Sequence, residues 1–132
     1  MIGGRILDVT AIVGFCTGQS VYAEALVMTA IDENIVLSIP AAALARPCGV
    51  IPRGHELGVD VLLDLPCTVV DPLDTAQARA LGALVGHSGD PDRDIAAAHV
   101  VPCAQRRGWP VVTNDPKPLL SLDSSIEIES LP

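Results

Sequence analysis

Four short apolar runs, separated by stretches long enough for helices, constrain this chain more than any other feature. Residues 5–9 read as a buried strand that ends in a carboxylate, Asp8. Residues 35–39, 67–70 and 110–113 are further strands of the same kind, and Asp115 follows the last of them closely. Residues 125–129 alternate apolar and acidic side chains, as an edge strand does. Strands separated by helices imply a parallel sheet in an α/β sandwich.

The stretches between the strands carry helix signals. Residues 21–31 place Val21, Ala25, Met28 and Ala30 broadly on one side, and Asp32, Glu33 and Asn34 end that helix. Pro40 suits a first helical turn, where its missing N–H is not needed, so residues 40–46 form a short helix that Pro47 stops. Residues 52–64 hold another helix despite Gly54 and Gly58. Asp74 and Gln77 have the capping-box spacing ahead of a helix over 75–85, which Gly86 can terminate. Residues 87–93 are polar and turn-rich. Asp94 opens a helix that ends near Gly108 and that Pro102 should bend or shorten.

At 132 residues, the chain fits one domain, residues 1–132. Apolar residues make up 49 % of it, enough for a core and too many for a disordered segment. Aromatic residues are 2 %, so Ala, Val, Leu and Ile must build that core. The uncharged stretch 9–23 is interrupted by Thr, Gln, Ser and Gly and falls short of the roughly 18 apolar residues a membrane span needs. Asp8 sits where a signal peptide would be apolar. The chain therefore reads as soluble and cytoplasmic, with no membrane partner. Cys16, Cys48, Cys67 and Cys103 form no CxxC pair, and each lies in an apolar context, so all four read as buried free thiols. The net charge is −8, with one lysine, Lys117, and one basic doublet, Arg106-Arg107. This speaks against non-specific nucleic-acid binding, which needs clustered cations. It does not exclude a metal-dependent nuclease, whose carboxylates face a cation.

Ligands of open parallel sheets gather beyond the carboxyl ends of the strands. Asp8 and Asp115 fall there by pattern, and Asp94 at a helix start can point to the same edge. Three converging acids are unfavourable unless a cation lies between them, and Mg2+ is the usual one. Each acid also has a plainer reading. Asp8 can cap the helix that follows it, Asp94 can be an ordinary N-cap, and Asp115 before Pro116 can start a turn.

With these acids in this order, the chain resembles the PIN-domain proteins, and among them the VapC-like bacterial group. The matching stretches are Ile6-Leu7-Asp8-Val9-Thr10-Ala11, Ile39-Pro40-Ala41-Ala42-Ala43-Leu44-Ala45, Asp94-Ile95-Ala96-Ala97-Ala98-His99-Val100-Val101 and Gly108-Trp109-Pro110-Val111-Val112-Thr113-Asn114-Asp115-Pro116. Together they span nearly the whole chain. The resemblance implies a three-layer α/β/α sandwich and a Mg2+- or Mn2+-dependent endoribonuclease, often the toxin of a toxin–antitoxin pair. Asp8, Asp94 and Asp115 would hold the metal that activates the attacking water. Thr10 and Thr113 would contact substrate or water. RNA, a small antitoxin-like protein and a second copy of the chain are the implied partners.

The sequence departs from the family pattern at two places. Where the family commonly has a Glu in the short helix after the second strand, this chain has Arg46. Asp94 lies about one helical turn earlier than the family's usual spacing from the final Asp, and Ala97 stands at that spacing. Two unit charges 4 Å apart interact by about 4 kcal/mol at an effective dielectric near 20, so an inward-pointing Arg46 would weaken metal binding by several kcal/mol. Pointing outward, it would do nothing. The sequence thus leaves two functions open: a weakened or inactivated VapC-like ribonuclease, or an inactive PIN-fold module that binds or regulates.

The remaining polar residues carry less. His99, alone in an Ala/Val helix, reads as a packed residue before it reads as a base. His55 and His87 show no pattern, and Trp109 covers a helix end. Asp90, Asp92 and Arg93 read as a solvated loop.

Overall fold

The computed structural model describes residues 3–89 and 94–132. The expected loop acids Asp90 and Asp92, with Arg93, lie outside the described residues. Five strands form one all-parallel sheet: β1 (Gly4–Leu7), β2 (Val36–Pro40), β3 (Thr68–Asp71), β4 (Val111–Thr113) and β5 (Ile128–Ser130). Their spatial order is β3-β2-β1-β4-β5, with Ile6 opposite both Ser38 and Val111. The chain moves outward from β1 to β3, then crosses back to β4. The crevice between the carboxyl ends of β1 and β4 is therefore the topological switch point, where ligands of such sheets collect.

Seven helices are present among the described residues: α1 (Val9–Cys16), α2 (Val21–Glu33), α3 (Ala41–Val50), α4 (Glu56–Asp64), α5 (Thr75–His87), α6 (Ile95–Arg107) and α7 (Lys117–Leu120). With right-handed crossovers, the rule for parallel strands, α1 to α4 lie on one face and α5 to α7 on the other. In the packing, α1 rests on α2, α3 and α4, and α6 on α5 and α7, while α3 and α6 also meet each other. The result is the three-layer α/β/α sandwich that the sequence implied. Its core is aliphatic, with Ile6, Ile12, Leu37, Ile39, Val100, Val101, Val111 and Val112 fully buried. Such central strands, covered on both faces, are apolar throughout, which is why their runs stand out in the sequence.

Several boundaries differ from the sequence reading. Val9 does not extend β1. It opens α1, and Asp8 is the N-cap residue in extended conformation. Pro47 does not stop α3, which continues to Val50. The Pro47 ring is buried, and that packing compensates for the missing N–H. α6 likewise runs unbroken through Pro102 to Arg107, where Gly108 closes it in the left-handed conformation. Gly86 does not end α5, which reaches His87. The N-cap half of the expected capping box is present, with Asp74 accepting from the Gln77 amide at 2.8 Å.

The thiols divide. Cys16 and Cys103 are buried and pushed up to about 11, chiefly by burial. Cys67 is half-buried and Cys48 is exposed, which corrects the expectation of four buried thiols. Among the described residues no single helix is long and apolar enough to cross a membrane. Only α1 and α2 taken together reach that length, and they are bent by 91°.

Candidate functional site

The three acids reach one place by three routes. β1 ends at Leu7, and Asp8 follows it into α1, its backbone N–H bonding the Val112 carbonyl of β4 at 3.2 Å. Asp115 follows β4 by two residues. Asp94 caps α6, whose N-terminus faces the same sheet edge. Asp8, Thr10, Arg46, Asp94, Ala97 and Asp115 all line one cavity of about 250 Å³ at the switch point.

A buried hydroxyl ties the first and last acids together. Thr113, fully buried, donates to Asp8 Oδ2 at 2.8 Å. A hydroxyl has one proton, so the 3.2 Å contact between the two threonine oxygens must be donated by Thr10. Thr113 Oγ1 also accepts from the Asp115 amide at 3.0 Å, and Thr10 Oγ1 accepts from the Asn114 amide at 3.0 Å. Both threonine side chains therefore hold the turn after β4 against the start of α1. Thr113 lies beneath the site rather than at its surface.

The electrostatics of Asp8 follow from burial. It is 8 % exposed, and desolvation raises its pKa above the ordinary carboxylate value. The hydrogen bond from Thr113 opposes the shift, and the nearby charges of Asp94 and Asp115 add to it. Burial is the leading cause, and the two neighbouring acids contribute least.

Arg46 meets one of the neighbouring acids. Its Nη1 lies 3.6 Å from Asp94 Oδ2, an ion pair too long for a hydrogen bond. Asp94 Oδ1 meanwhile accepts from the Ala96 and Ala97 amides at 2.9 and 3.4 Å. The two oxygens of Asp94 are thus both engaged, one by the helix N-terminus and one by the guanidinium. Arg46 keeps 65 % of its side chain exposed, so it leans over the cavity from the solvent side. A half-exposed pair of this kind is worth about 1 kcal/mol or less.

All the donors are hard oxygens, the type that suits Mg2+ or Mn2+. Their arrangement does not suit it. Among the described residues no three His, Cys, Asp or Glu side chains are gathered closely enough to hold a metal ion. Asp94 would first have to leave Arg46. Ala97 lines the cavity with a methyl group and offers no oxygen.

A second buried polar cluster was not anticipated. Asp71, at the end of β3, is 5 % exposed and takes a two-pronged contact from Arg107, Nε to Oδ2 at 3.0 Å and Nη2 to Oδ1 at 2.6 Å. Ser38 donates to the same carboxylate at 2.5 Å, and the Arg107 guanidinium stacks 5.0 Å from the Trp109 ring. Burial pushes the Asp71 carboxyl up, but the bonds from Arg107 and Ser38 outweigh it and hold the group below its usual range. Asp71 closes the apolar run of β3 much as Asp8 directly follows that of β1, so the same sequence signal could have found it. His99 is buried, and its Nδ1 accepts from the Ala42 amide at 3.2 Å. It is a packed residue, away from the residues that line the acidic cavity.

No family model matches the chain, and no curated protein does. Among solved structures the chain is similar to one in the crystal structure of VapBC2 from Rickettsia felis bound to a DNA fragment from their promoter. The TM-score is 0.67 at 14 % identity, over 98 % of this chain and 99 % of that one. At that identity the likeness establishes the fold, a PIN-like α/β sandwich.

Proposed function

We propose that this chain is a VapC-like PIN-fold protein whose metal-dependent endoribonuclease chemistry is weakened or lost. The observation that carries this reading is the Arg46–Asp94 ion pair across the cavity that Asp8 and Asp115 line. A cation that belongs to the chain already answers one of the three acids. A divalent ion must displace it before Asp94 can serve as a ligand. Asp8 and Asp115 remain in place, joined through Thr113, so the ancestral arrangement is reduced rather than dismantled.

The similar structure contains VapBC2 with promoter DNA. By analogy, this chain would work in the cytoplasm beside a small antitoxin-like partner, as a homodimer, with RNA as its substrate where activity survives. A second reading is favoured by one feature. A largely apolar groove of about 510 Å³ runs between α3 and α6, lined by Ala41, Ala42, Ala45, Leu73 and Ile95, with Arg46 and Asp94 at its rim. Such a groove suits a protein segment better than a phosphate backbone, as expected of a binding or regulatory module.

The test is cleavage of a mixed single-stranded RNA pool with Mn2+, comparing the wild type with Asp8→Ala. Cleavage by the wild type should be slow or indistinguishable from that of the variant. Rapid Mn2+-dependent cleavage that Asp8→Ala abolishes would show a fully active site and contradict the reading.

A further inference from the structure

Two polar contacts join helices α3 and α6 among the described residues, and one of them belongs to the acidic site. At that point Arg46 of α3 meets Asp94 of α6. At the other, His99 Nδ1 of α6 accepts the amide proton of Ala42 on α3. Ala42 and Arg46 are four residues apart on one helix and so lie on the same face of α3. What fixes the first turn of α3 therefore also fixes where Arg46 starts its reach.

That first turn has an unmet need. The early amides of a helix have no partner within it, and an N-cap side chain normally takes one of them. The N-cap of α3 is Pro40, which makes no side-chain hydrogen bond. The Ala42 amide is instead taken by the imidazole of another helix. The bond has a definite protonation requirement. Nδ1 can accept only in the neutral imidazole with its proton on Nε2, because both nitrogens of the charged ring are donors.

We propose that His99 is a positioning residue for Arg46: as a neutral imidazole it clasps the first turn of α3 to α6, and protonation releases that clasp. Since its importance for the site depends on Arg46 guarding Asp94, the inference rests on the proposed function above. The surroundings favour the neutral ring. His99 is 1 % exposed, and burial lowers its pKa below the usual histidine value. The Asp71 carboxylate at the end of β3 and the backbone at Pro72 pull the other way, while Arg106 on α6 itself adds to the lowering. Asp71 is already paired with Arg107, which limits how much it can stabilise an imidazolium. From α3, the facing group is the Ala42 amide, which repels a protonated Nδ1.

The test is amide hydrogen exchange by NMR on the whole chain from pH 7.5 to 5.0, for wild type, His99→Asn and His99→Phe. Protection of Ala42 is read against that of Val112, a buried strand amide that reports global opening. Asn retains an acceptor near the Nδ1 position and does not titrate, whereas Phe fills the space without an acceptor. Relative protection of Ala42 should drop at least tenfold in His99→Phe and stay within about threefold of wild type in His99→Asn. In the wild type it should fall with pH in step with the His99 ring carbons, and in His99→Asn it should stay flat. Unchanged protection in His99→Phe would overturn the inference, as would identical pH profiles for wild type and His99→Asn. None of these readouts involves metal, so failure of the clasp is distinguishable from failure of the reading of Arg46.

Discussion

Thr113 shows how one side chain can set the chemistry of another. Its hydroxyl is the one side-chain donor that reaches the buried Asp8 carboxylate among the described contacts, and it also receives the Asp115 amide. Thr113→Val keeps the shape and leaves both groups without that partner. A buried polar group left unsatisfied costs about 1–3 kcal/mol, so urea denaturation of Thr113→Val should show a loss in that range. Thr10→Val should lose less, because Thr10 is only half-buried. Asp8 itself opposes the fold at neutral pH. Its folded pKa is raised, so its favourable contribution is complete below about 3.8, the unfolded value, and disappears as pH rises through the folded value. Asp8→Asn should therefore raise the thermal midpoint at pH 7, with the gain vanishing by about pH 4. Asp71 has the opposite sign. Its folded pKa is depressed, and its stabilisation, present above about 3.8, is lost as pH falls through the lower folded value.

At the scale of elements, the close approach of α4 to α1 depends on a missing side chain. A Cβ at Gly58 would lie 2.6 Å from the Cys16 carbonyl oxygen and 2.9 Å from its Cα, both backbone atoms that cannot step aside. Gly58→Ala must push the helices apart, and overpacking of this kind costs about 1–3 kcal/mol by denaturant titration. The elements also show where sequence reading succeeds. β1, β2 and β4 are legible because interior strands covered on both faces are largely apolar runs, and β3, an edge strand with Val69 and Val70 exposed, is legible from its β-branched residues alone. α1 was not read as an element for the same reason in reverse. From Val9 to Phe15 it has no polar face, so no helical period marks it. Its start was visible only as the plainer reading of Asp8 as a cap. The end of α3 was misplaced because local proline chemistry was outweighed by burial of the Pro47 ring.

For the whole molecule, the acids could be grouped from their order along the chain because the switch point brings the ends of β1 and β4 together in any sheet of this topology. The side-chain contacts could not be read this way. The Arg107–Asp71 pair joins residues 36 apart and the His99–Ala42 bond residues 57 apart, and neither has a local pattern. The outer surface carries its own expectation. Val21 and Met28 on α2 are 79 % and 58 % exposed, and Tyr22 and Ile31 are partly so. Other exposed apolar side chains, such as Val50 and Leu57, are spread over several elements, but these four share one helix, and a contiguous apolar patch there would suit association. Small-angle scattering at high micromolar concentration should therefore give the mass of a dimer, and Val21→Asp with Met28→Glu should halve it. A monomeric wild type would remove the dimer from the proposed function.

The direction of Arg46 decides how the acidic cavity behaves. It is neither buried among the carboxylates nor turned away from them. It pairs with Asp94 from the solvent side, so its influence should fall well below the several kcal/mol of an inward charge. Calorimetric titration of Mn2+ into the wild type and Arg46→Glu measures that influence directly. Removing the cation frees Asp94, and the new carboxylate adds an oxygen donor, so affinity should rise at least tenfold, about 1.4 kcal/mol. Equal affinities in the two proteins would mean that Arg46 does not guard the site and would contradict the central role given to it.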